Sequence, residues 1–357
     1  MTVKFGIVFF PTVGPDDRPA PQYFDECLQL VDLAESLGYD HAKIVEHYFF
    51  RYGGYSPDPV TFLAAAAGRT SRIRLGTSAT IPAFQHPVKL AGKLAMLDNI
   101  SHGRLDAAFG RGFLPDEFSA FGIPMDESKS RFVENVEAIK RLWSEENVVW
   151  EGQYHQFGPV TLLPRPVQQP HPPVFVTTAR SAESCAEAAR AGHGLQTVPN
   201  VMSTEQLQER LGIYRAEWAG SGRAAGTERI HFSYPCVVAP EGEEARRMGR
   251  FDDERNTAAI SAAVAAWATT TSSAYPGYEQ FANIGASRFD EKLAAQKLLI
   301  GSPDQVRGQI EQIAEWFGDD VTISLGIHSG HLSVEDAATT LRLLAEEVIP
   351  KLSVNLL

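Results

Sequence analysis

The chain has 357 residues, of which 44% are hydrophobic, so it is long enough to form a large core in one or two domains. A formal net charge of −12 disfavours binding to nucleic acid and to anionic membranes. Three widely spaced cysteines, and the lack of any apolar run of roughly 18 residues, predict a cytoplasmic protein without a disulfide framework or a membrane span.

Short apolar runs rich in Val, Ile and Phe alternate along the chain with longer segments that have helical spacing. Eight such runs lie at residues 3–10, 41–47, 73–81, 105–112, 173–178, 195–198, 230–238 and 321–327. Apolar strands that alternate with amphipathic helices predict a parallel sheet, and eight units predict a closed (β/α)8 TIM barrel. The alternative, an open doubly wound sheet, lacks its usual GxGxxG motif after the first run.

Two insertions interrupt this alternation. A predicted hairpin and a proline-rich stretch occupy about 148–172, and a longer segment at about 269–301 follows the seventh run. No internal repeat or low-complexity segment stands out, so we interpret residues 1–357 as one barrel domain with insertions.

Catalytic groups of such a barrel lie in the loops that follow the strands, which directs attention to the stretch after the second run. His47 is a candidate general acid or base, because imidazole changes protonation near neutral pH, and the alternative is a structural histidine. Adjacent strand residues face opposite sides, so we expect Glu46 to form a structural ion pair instead.

The loops after the fourth and fifth runs carry groups suited to an anion. Arg111 lies between glycines in FGRGF, where it is able to bind a phosphate bidentately or to form a salt bridge with Asp116 or Glu117. Ser181 begins a helix as an N-cap, and its hydroxyl, the Ser184 hydroxyl and the free N–H groups also suit an anion. Together these residues suggest a ligand that bears a phosphate.

Other site classes have little support. The sequence has no HExxH motif, and His328 and His331 have no evident carboxylate partners, so we predict no metal site. It also lacks the GxSxG motif of a serine hydrolase.

The chain resembles the bacterial luciferase-like flavin monooxygenases over nearly its whole length, most strongly over residues 3–145. The stretches that carry the resemblance are FGIVFF, AESLGYDHAKIVEHYF, RIRLGTSATIPAFQHPVKLAGKLAMLDNISHGRLDAAFGRGF, SRFVENVEAIKRLW, PVFVTTARSAESCAEAARAGHG and GSPDQVRGQI. The resemblance implies a TIM barrel with a reduced flavin at its C-terminal mouth. His47 matches the active-site histidine of an EHH-like motif, in which Tyr48 replaces the second histidine.

The resemblance also implies which residues hold the flavin. Arg111, Ser181 and Ser184 match positions at the flavin phosphate, and Gly112 follows the arginine. The residues that match Ser78 and Ala79 join through a non-proline cis peptide beneath the flavin ring in the luciferases.

Two positions depart from the luciferase pattern, so light emission is not implied. Gly110 replaces a cysteine that precedes the phosphate arginine, and Arg180 replaces an acidic residue, which suggests a second arginine at the phosphate.

The implied reaction is monooxygenation of a small organic substrate by reduced FMN and O2 through a C4a-(hydro)peroxyflavin. It requires a dry pocket, for which Tyr48, Phe49 and Phe113 are candidates, and we expect a mobile lid at 269–301. A separate flavin reductase would supply the reduced FMN, and the family likeness suggests a homodimer. The alternatives are a deazaflavin-dependent hydride-transfer enzyme and a flavin-binding protein without catalysis.

Overall fold

A computed structural model describes residues 3–178, 181–286 and 288–352 of the chain. Eight parallel strands pair side by side, each with the next, and the eighth pairs with the first to close a barrel. They are β1 (Lys4–Phe9), β2 (His41–Ile44), β3 (Arg74–Thr77), β4 (Leu105–Gly110), β5 (Val174–Thr177), β6 (Gly194–Thr197), β7 (Ile230–Val238) and β8 (Val321–Gly326). The predicted (β/α)8 TIM barrel is therefore confirmed, with one strand in each of the eight predicted runs.

Helices cover the outside of the barrel between these strands. They are α1 (Ala20–Ser36), α2 (Pro59–Ala67), α3 (Pro87–Ile100), α4 (Pro115–Ala120), α5 (Ser128–Ser144), α6 (Ala182–Arg190), α7 (Thr204–Gly220), α8 (Gly242–Ala263), α9 (Phe289–Ala294), α10 (Pro303–Phe317) and α11 (Val334–Leu343). Local chemistry determines several starts: the Asp58 side chain accepts a hydrogen bond from the Val60 N–H, and Ser203 and Gln206 form a capping box. Such caps stabilise a helix by about 1 kcal/mol each.

The insertions have structure of their own. Strands Val148–Glu151 and Gln156–Val160 form the antiparallel hairpin predicted there. The later segment contains 3₁₀ turns at Ala265–Ala268 and Tyr278–Ala286, then α9, and then a short strand, Leu299–Gly301, that pairs with β7. We call residues 265–301 the β7 insertion.

The inside of the barrel holds buried charged and polar side chains. Lys43 of β2 is 1% exposed and contacts His231 Nδ1, and its Nζ lies 3.2 Å from Ser324 Oγ. Burial lowers the pKa of Lys43 to about 7. A Cβ on Gly76 would lie 2.9 Å from Lys43 Cγ, so glycine makes room for the lysine.

Within the described part of the chain, no helix combines the length and apolar character needed to cross a membrane.

Candidate active site

A cavity of about 1180 Å³ opens at the end of the barrel where the parallel strands end. His47 after β2, Arg111 after β4 and Ser181 after β5 all line it, so the structure brings these three predicted residues together. The volume exceeds the roughly 300–1,000 Å³ of ordinary ligand pockets, so the cavity has room for more than one small molecule.

The His47 side chain is held in one orientation by a buried glutamate. Its Nδ1 lies 3.1 Å from Glu117 Oε1, and the same oxygen accepts the Tyr48 N–H at 2.8 Å. The Glu117 side chain is fully buried, whereas His47 Nε2 has no hydrogen-bond partner among the described residues. At Gly53, where φ is +77°, an added Cβ would lie 2.5 Å from His47 Cβ, so only glycine fits there. The arrangement presents Nε2 to the cavity.

Aromatic rings surround His47 and make this part of the wall apolar. The ring centroids of Phe10, Tyr52 and Phe113 lie 5.7, 5.1 and 5.8 Å from that of His47. All three line the cavity, and Phe281 of the β7 insertion lies 6.1 Å from Phe113. The structure therefore places Phe113 where the sequence predicts a pocket residue.

Glu46 does not form the predicted ion pair, and it lines the same cavity as His47, although adjacent strand residues were expected to face opposite sides. Its carboxylate accepts the Tyr48 hydroxyl at 2.6 Å and the Ile81 N–H at 3.1 Å, with no cation within 4.0 Å among the described residues. Burial raises the pKa of Glu46 to about 8, against the lowering effect of these hydrogen bonds.

Tyr48 and Phe49 do not line the cavity, so their assignment to the substrate pocket is corrected. The Tyr48 hydroxyl turns back to Glu46, and its ring packs edge-on against Phe121 at 4.8 Å. Phe49 has a φ of +67°, and the chain reverses there so that its ring is 65% exposed. The rings that do face His47 are Phe10 and Phe113, which follow β1 and β4, and Tyr52, later in the same loop as His47.

Arg111 lines the cavity, and it does not form the salt bridge with Asp116 or Glu117 that the sequence offers as the alternative to phosphate binding. Its Nη2 donates to Ser128 Oγ at 3.0 Å and to the Ala274 carbonyl at 2.8 Å. Its Nε is buried without a hydrogen-bond partner, and within the described ranges no carboxylate oxygen lies within 4.0 Å of the guanidinium. The positive charge is therefore not neutralised by an acidic neighbour.

The β7 insertion rests on the segment that contains Arg111. The Tyr275 hydroxyl donates to the Gly112 carbonyl at 2.7 Å, and Trp267 Nε1 donates to the Phe113 carbonyl at 3.0 Å. Gly112 has a φ of +70°, a left-handed conformation that glycine adopts without strain. The predicted lid thus forms a wall of the cavity, and its mobility stays a prediction.

Ser181 is the predicted N-cap of α6. Its Oγ accepts the Ser184 N–H at 3.1 Å, and both serines line the cavity. Arg180, predicted as a second phosphate ligand, lies outside the described residues.

The Ser78–Ala79 peptide is cis, as the family resemblance implies, and both residues line the cavity. Ser78 Oγ donates to Gln196 Oε1 at 3.2 Å, which joins the loop after β3 to β6. Ala79 packs on Ala108 and Phe175 of the barrel, so this peptide forms part of the cavity floor.

Glu117 was offered only as one of two alternative salt-bridge partners of Arg111, and Asp252 and Asn256 of α8, which also line the cavity, were not predicted as site residues. No local pattern connects Glu117 to His47, because the two are 70 residues apart. The spacing of Asp252 and Asn256 could have identified them. Met248, Asp252, Asn256 and Ile260 are four residues apart and share one face of α8, so two polar residues lie on a face that points inward.

Across the described ranges, no group of three or more His, Cys, Asp and Glu side chains has an arrangement suited to a metal ion. His328, part of the histidine pair noted above, instead directs Nε2 to Glu26 at 3.2 Å.

Nearly the whole chain is similar to known proteins. A family model described as luciferase-like monooxygenase matches residues 3–320. The crystal structure of the monooxygenase RslO1 from Streptomyces bottropensis is 52% identical, with a TM-score of 0.90, over 98% of this chain and 100% of that chain.

Curated relatives match over shorter stretches. The oxygenase component of a flavin-dependent trigonelline monooxygenase from Acinetobacter baylyi is 33% identical over 203 residues, which are 56% of this chain and 56% of the relative. An F420-dependent glucose-6-phosphate dehydrogenase from Intrasporangium calvum is 35% identical over 178 residues, which are 46% of this chain and 52% of the relative. The chain thus spans little more than half the length of these relatives.

Proposed function

Because the chain belongs to the luciferase-like monooxygenase family, we propose that it is a monooxygenase that uses reduced FMN and O2 to oxygenate a small organic substrate. The observation that carries this proposal is the Arg111 guanidinium, which lines the cavity with a buried Nε that lacks a partner. A phosphate monoester offers the anionic acceptors that this group lacks. When bound, reduced FMN supplies the electrons that activate O2 for transfer of one oxygen atom to the substrate.

The residues present fit such a cofactor. Arg111 would bind its phosphate together with the Ser181 and Ser184 hydroxyls and the N–H groups at the start of α6, and Arg180 would add a second positive charge. Gly112 lets the backbone approach the ligand closely. The flavin ring would lie on the floor that Ser78 and Ala79 form.

His47 would act at the reacting end of the cavity. Glu117 accepts the Nδ1 proton and so keeps Nε2 available to donate or accept a proton at the substrate. Because the Glu117 carboxylate also accepts the Tyr48 N–H, it holds the loop after β2 as well as the His47 ring. This support favours His47 as the general acid or base.

Exclusion of water would come from the rings around His47 and from the β7 insertion above them. Phe10, Tyr52 and Phe113 offer no strong hydrogen-bond acceptor at their ring faces, and Trp267 and Tyr275 hold the insertion against the loop after β4. A dry site favours transfer of oxygen to the substrate over release of H2O2.

Reduced FMN would be supplied by a separate flavin reductase, which the similarity to an oxygenase component supports. We also propose a homodimer, from family likeness, and a measurement of mass in solution by light scattering tests it.

A second candidate function is hydride transfer with a deazaflavin, which the F420-dependent relative favours. A third is flavin binding without catalysis. The three candidate functions differ in the cofactor that the protein binds and in the rate of flavin oxidation when O2 is admitted.

The deciding experiment adds reduced FMN or reduced F420 to the protein without O2, measures both affinities, and then admits O2. We expect tighter binding of FMN and a rate of flavin oxidation that differs from that of free reduced FMN. Tighter binding of F420 would replace the proposal with the deazaflavin enzyme. Oxidation of bound FMN at the rate of free FMN would indicate a binding protein.

A further inference from the structure

A chain of polar side chains lines the cavity at a place that the proposed cofactor contacts do not use. Ser329 Oγ, after β8, donates to Asp252 Oδ1, and Asn256 Nδ2 donates to Asp252 Oδ2 at 3.0 Å. Thr12 Oγ1, after β1, donates in turn to Asn256 Oδ1. All four residues line the cavity, so two loops and one helix contribute to one polar patch. We call these four residues the Asp252 cluster.

The Asp252 carboxylate has no direct ion-pair partner among the described residues. Asp253, the next residue, has its carboxylate 3.0 Å from Lys292 Nζ, whereas no cation of the described chain lies within 4.0 Å of the Asp252 carboxylate. Burial raises the pKa of Asp252 to about 6, against the lowering effects of Ser329, Asn256 and Arg255. An ionised carboxylate has about four acceptor positions, and two neutral donors occupy only part of them. The remaining positions suit a hydrogen-bond donor from a ligand.

The barrel topology separates this cluster from the proposed phosphate site. In the closed ring of eight strands, β5, which precedes Ser181, lies four strands away from β1, which precedes Thr12. Thr12 is instead close to the reacting end, because the ring of Phe10, two residues earlier, lies 5.7 Å from that of His47. A ligand that extends from His47 along the loop after β1 would therefore approach the cluster, while the cofactor phosphate would lie across the cavity.

We propose that Asp252, positioned by Ser329 and Asn256, determines substrate specificity by accepting a hydrogen bond from a hydroxyl group on an otherwise apolar ring. This proposal rests on the proposed function, because it places a substrate beside His47. The apolar part of the ligand matches the aromatic wall and Ile260, which follows Asn256 by one turn on α8 and lines the cavity. A hydroxyl fits better than an ammonium group, since removing a charged ammonium from water into a largely apolar pocket costs more than removing a neutral hydroxyl.

The test measures binding and does not depend on turnover. Dissociation constants for 2-naphthol, 2-methylnaphthalene and 2-naphthylmethylamine are determined by calorimetry on the FMN-loaded protein and its variants. The variants are Asp252→Ala, the milder Asp252→Asn and Ser329→Ala. Glu254→Gln is the matched control, because it removes one negative charge from an exposed position of the same helix.

We expect the wild-type protein to bind 2-naphthol about tenfold to a hundredfold more tightly than 2-methylnaphthalene, the range for a hydrogen bond to a charged group. Asp252→Ala should reduce that preference to less than about threefold, Asp252→Asn and Ser329→Ala should reduce it in part, and Glu254→Gln should retain it. FMN affinity should stay within about twofold throughout, which also shows that the variants are folded.

Three results would overturn the assignment: no preference for 2-naphthol in the wild type, a preference that survives in Asp252→Ala, or tighter binding of the amine through Asp252. Failure of the proposed function is distinguishable, because a protein that binds no FMN still allows the same three ligands to be compared on the FMN-free chain.

Discussion

Replacement of Arg111 by alanine should weaken FMN binding by about 1.5–3 kcal/mol, the range for a hydrogen bond to a charged group, which corresponds to roughly a 10- to 150-fold rise in Kd. The magnitude follows from the contacts of the guanidinium. Its Nη2 is already bonded to Ser128 and Ala274, while Nε has no partner, so phosphate binding would add charge-assisted hydrogen bonds without breaking existing ones. No carboxylate oxygen of the described residues lies within 4.0 Å of the guanidinium, so the substitution breaks no direct ion pair.

The assay compares FMN with riboflavin, which has the same ring and ribityl chain but no phosphate, by quenching of flavin fluorescence. Arg111→Ala should weaken FMN binding and leave riboflavin affinity within about twofold. Arg111→Lys keeps the charge but not the planar fork, so its FMN affinity should be intermediate. Equal losses for FMN and riboflavin would refute the phosphate assignment and show that Arg111 acts on the cavity wall.

Three further predictions concern other parts of the site. His47→Ala should retain flavin affinity and lower substrate turnover by roughly 10²–10⁴, measured as kcat with a saturating substrate. Glu46→Gln should flatten the pH dependence of the free energy of unfolding, measured with urea. Because the pKa of Glu46 is raised to about 8 in the folded state, the folded protein holds a proton between about pH 4.5 and 8 that the unfolded chain has lost. The wild type should therefore lose stability as the pH rises through this window, by up to about 1.4 kcal/mol per pH unit. Tyr275→Phe should loosen the β7 insertion by removing the 2.7 Å bond to the Gly112 carbonyl, and so raise the fraction of reduced FMN that yields H2O2, measured with a peroxidase assay.

Each of these has an outcome that counts against it. Turnover near the wild-type value in His47→Ala would make that residue structural. A Glu46→Gln protein with the same pH slope as the wild type would show that another group holds the proton. Unchanged H2O2 yield in Tyr275→Phe would mean that its hydroxyl does not control closure of the insertion.

The positions of the strands were predictable because a strand buried on both faces requires a continuous apolar run. The hairpin at Val148–Glu151 and Gln156–Val160 was predictable because apolar and polar residues alternate there and turn residues interrupt them. The loops that contain His47, Arg111 and Ser181 followed from the rule that functional groups lie after barrel strands.

What the sequence could not show was which side chains meet. Glu117 was named with Asp116 as an alternative salt-bridge partner of Arg111, six residues away, yet it binds His47, because α4 brings its carboxylate under the loop that follows β2. Phe49 was placed in the pocket because it follows His47, but a positive φ turns it outward. Lys43 lies in a strand that appears apolar in sequence, and its burial depends on the space that Gly76 leaves on the neighbouring strand.

The contacts of the β7 insertion explain why the riboflavin comparison is needed for Arg111. Ala274, Tyr275 and Trp267 bind the side chain of Arg111 and the carbonyls of Gly112 and Phe113, which are three consecutive residues. The segment that would bind the phosphate is therefore also the support of the cavity wall. Loss of the Arg111 side chain removes the electrostatic attraction of the cofactor and one contact of the insertion, but only the attraction depends on the phosphate. The difference between the losses for FMN and for riboflavin therefore measures the electrostatic part alone.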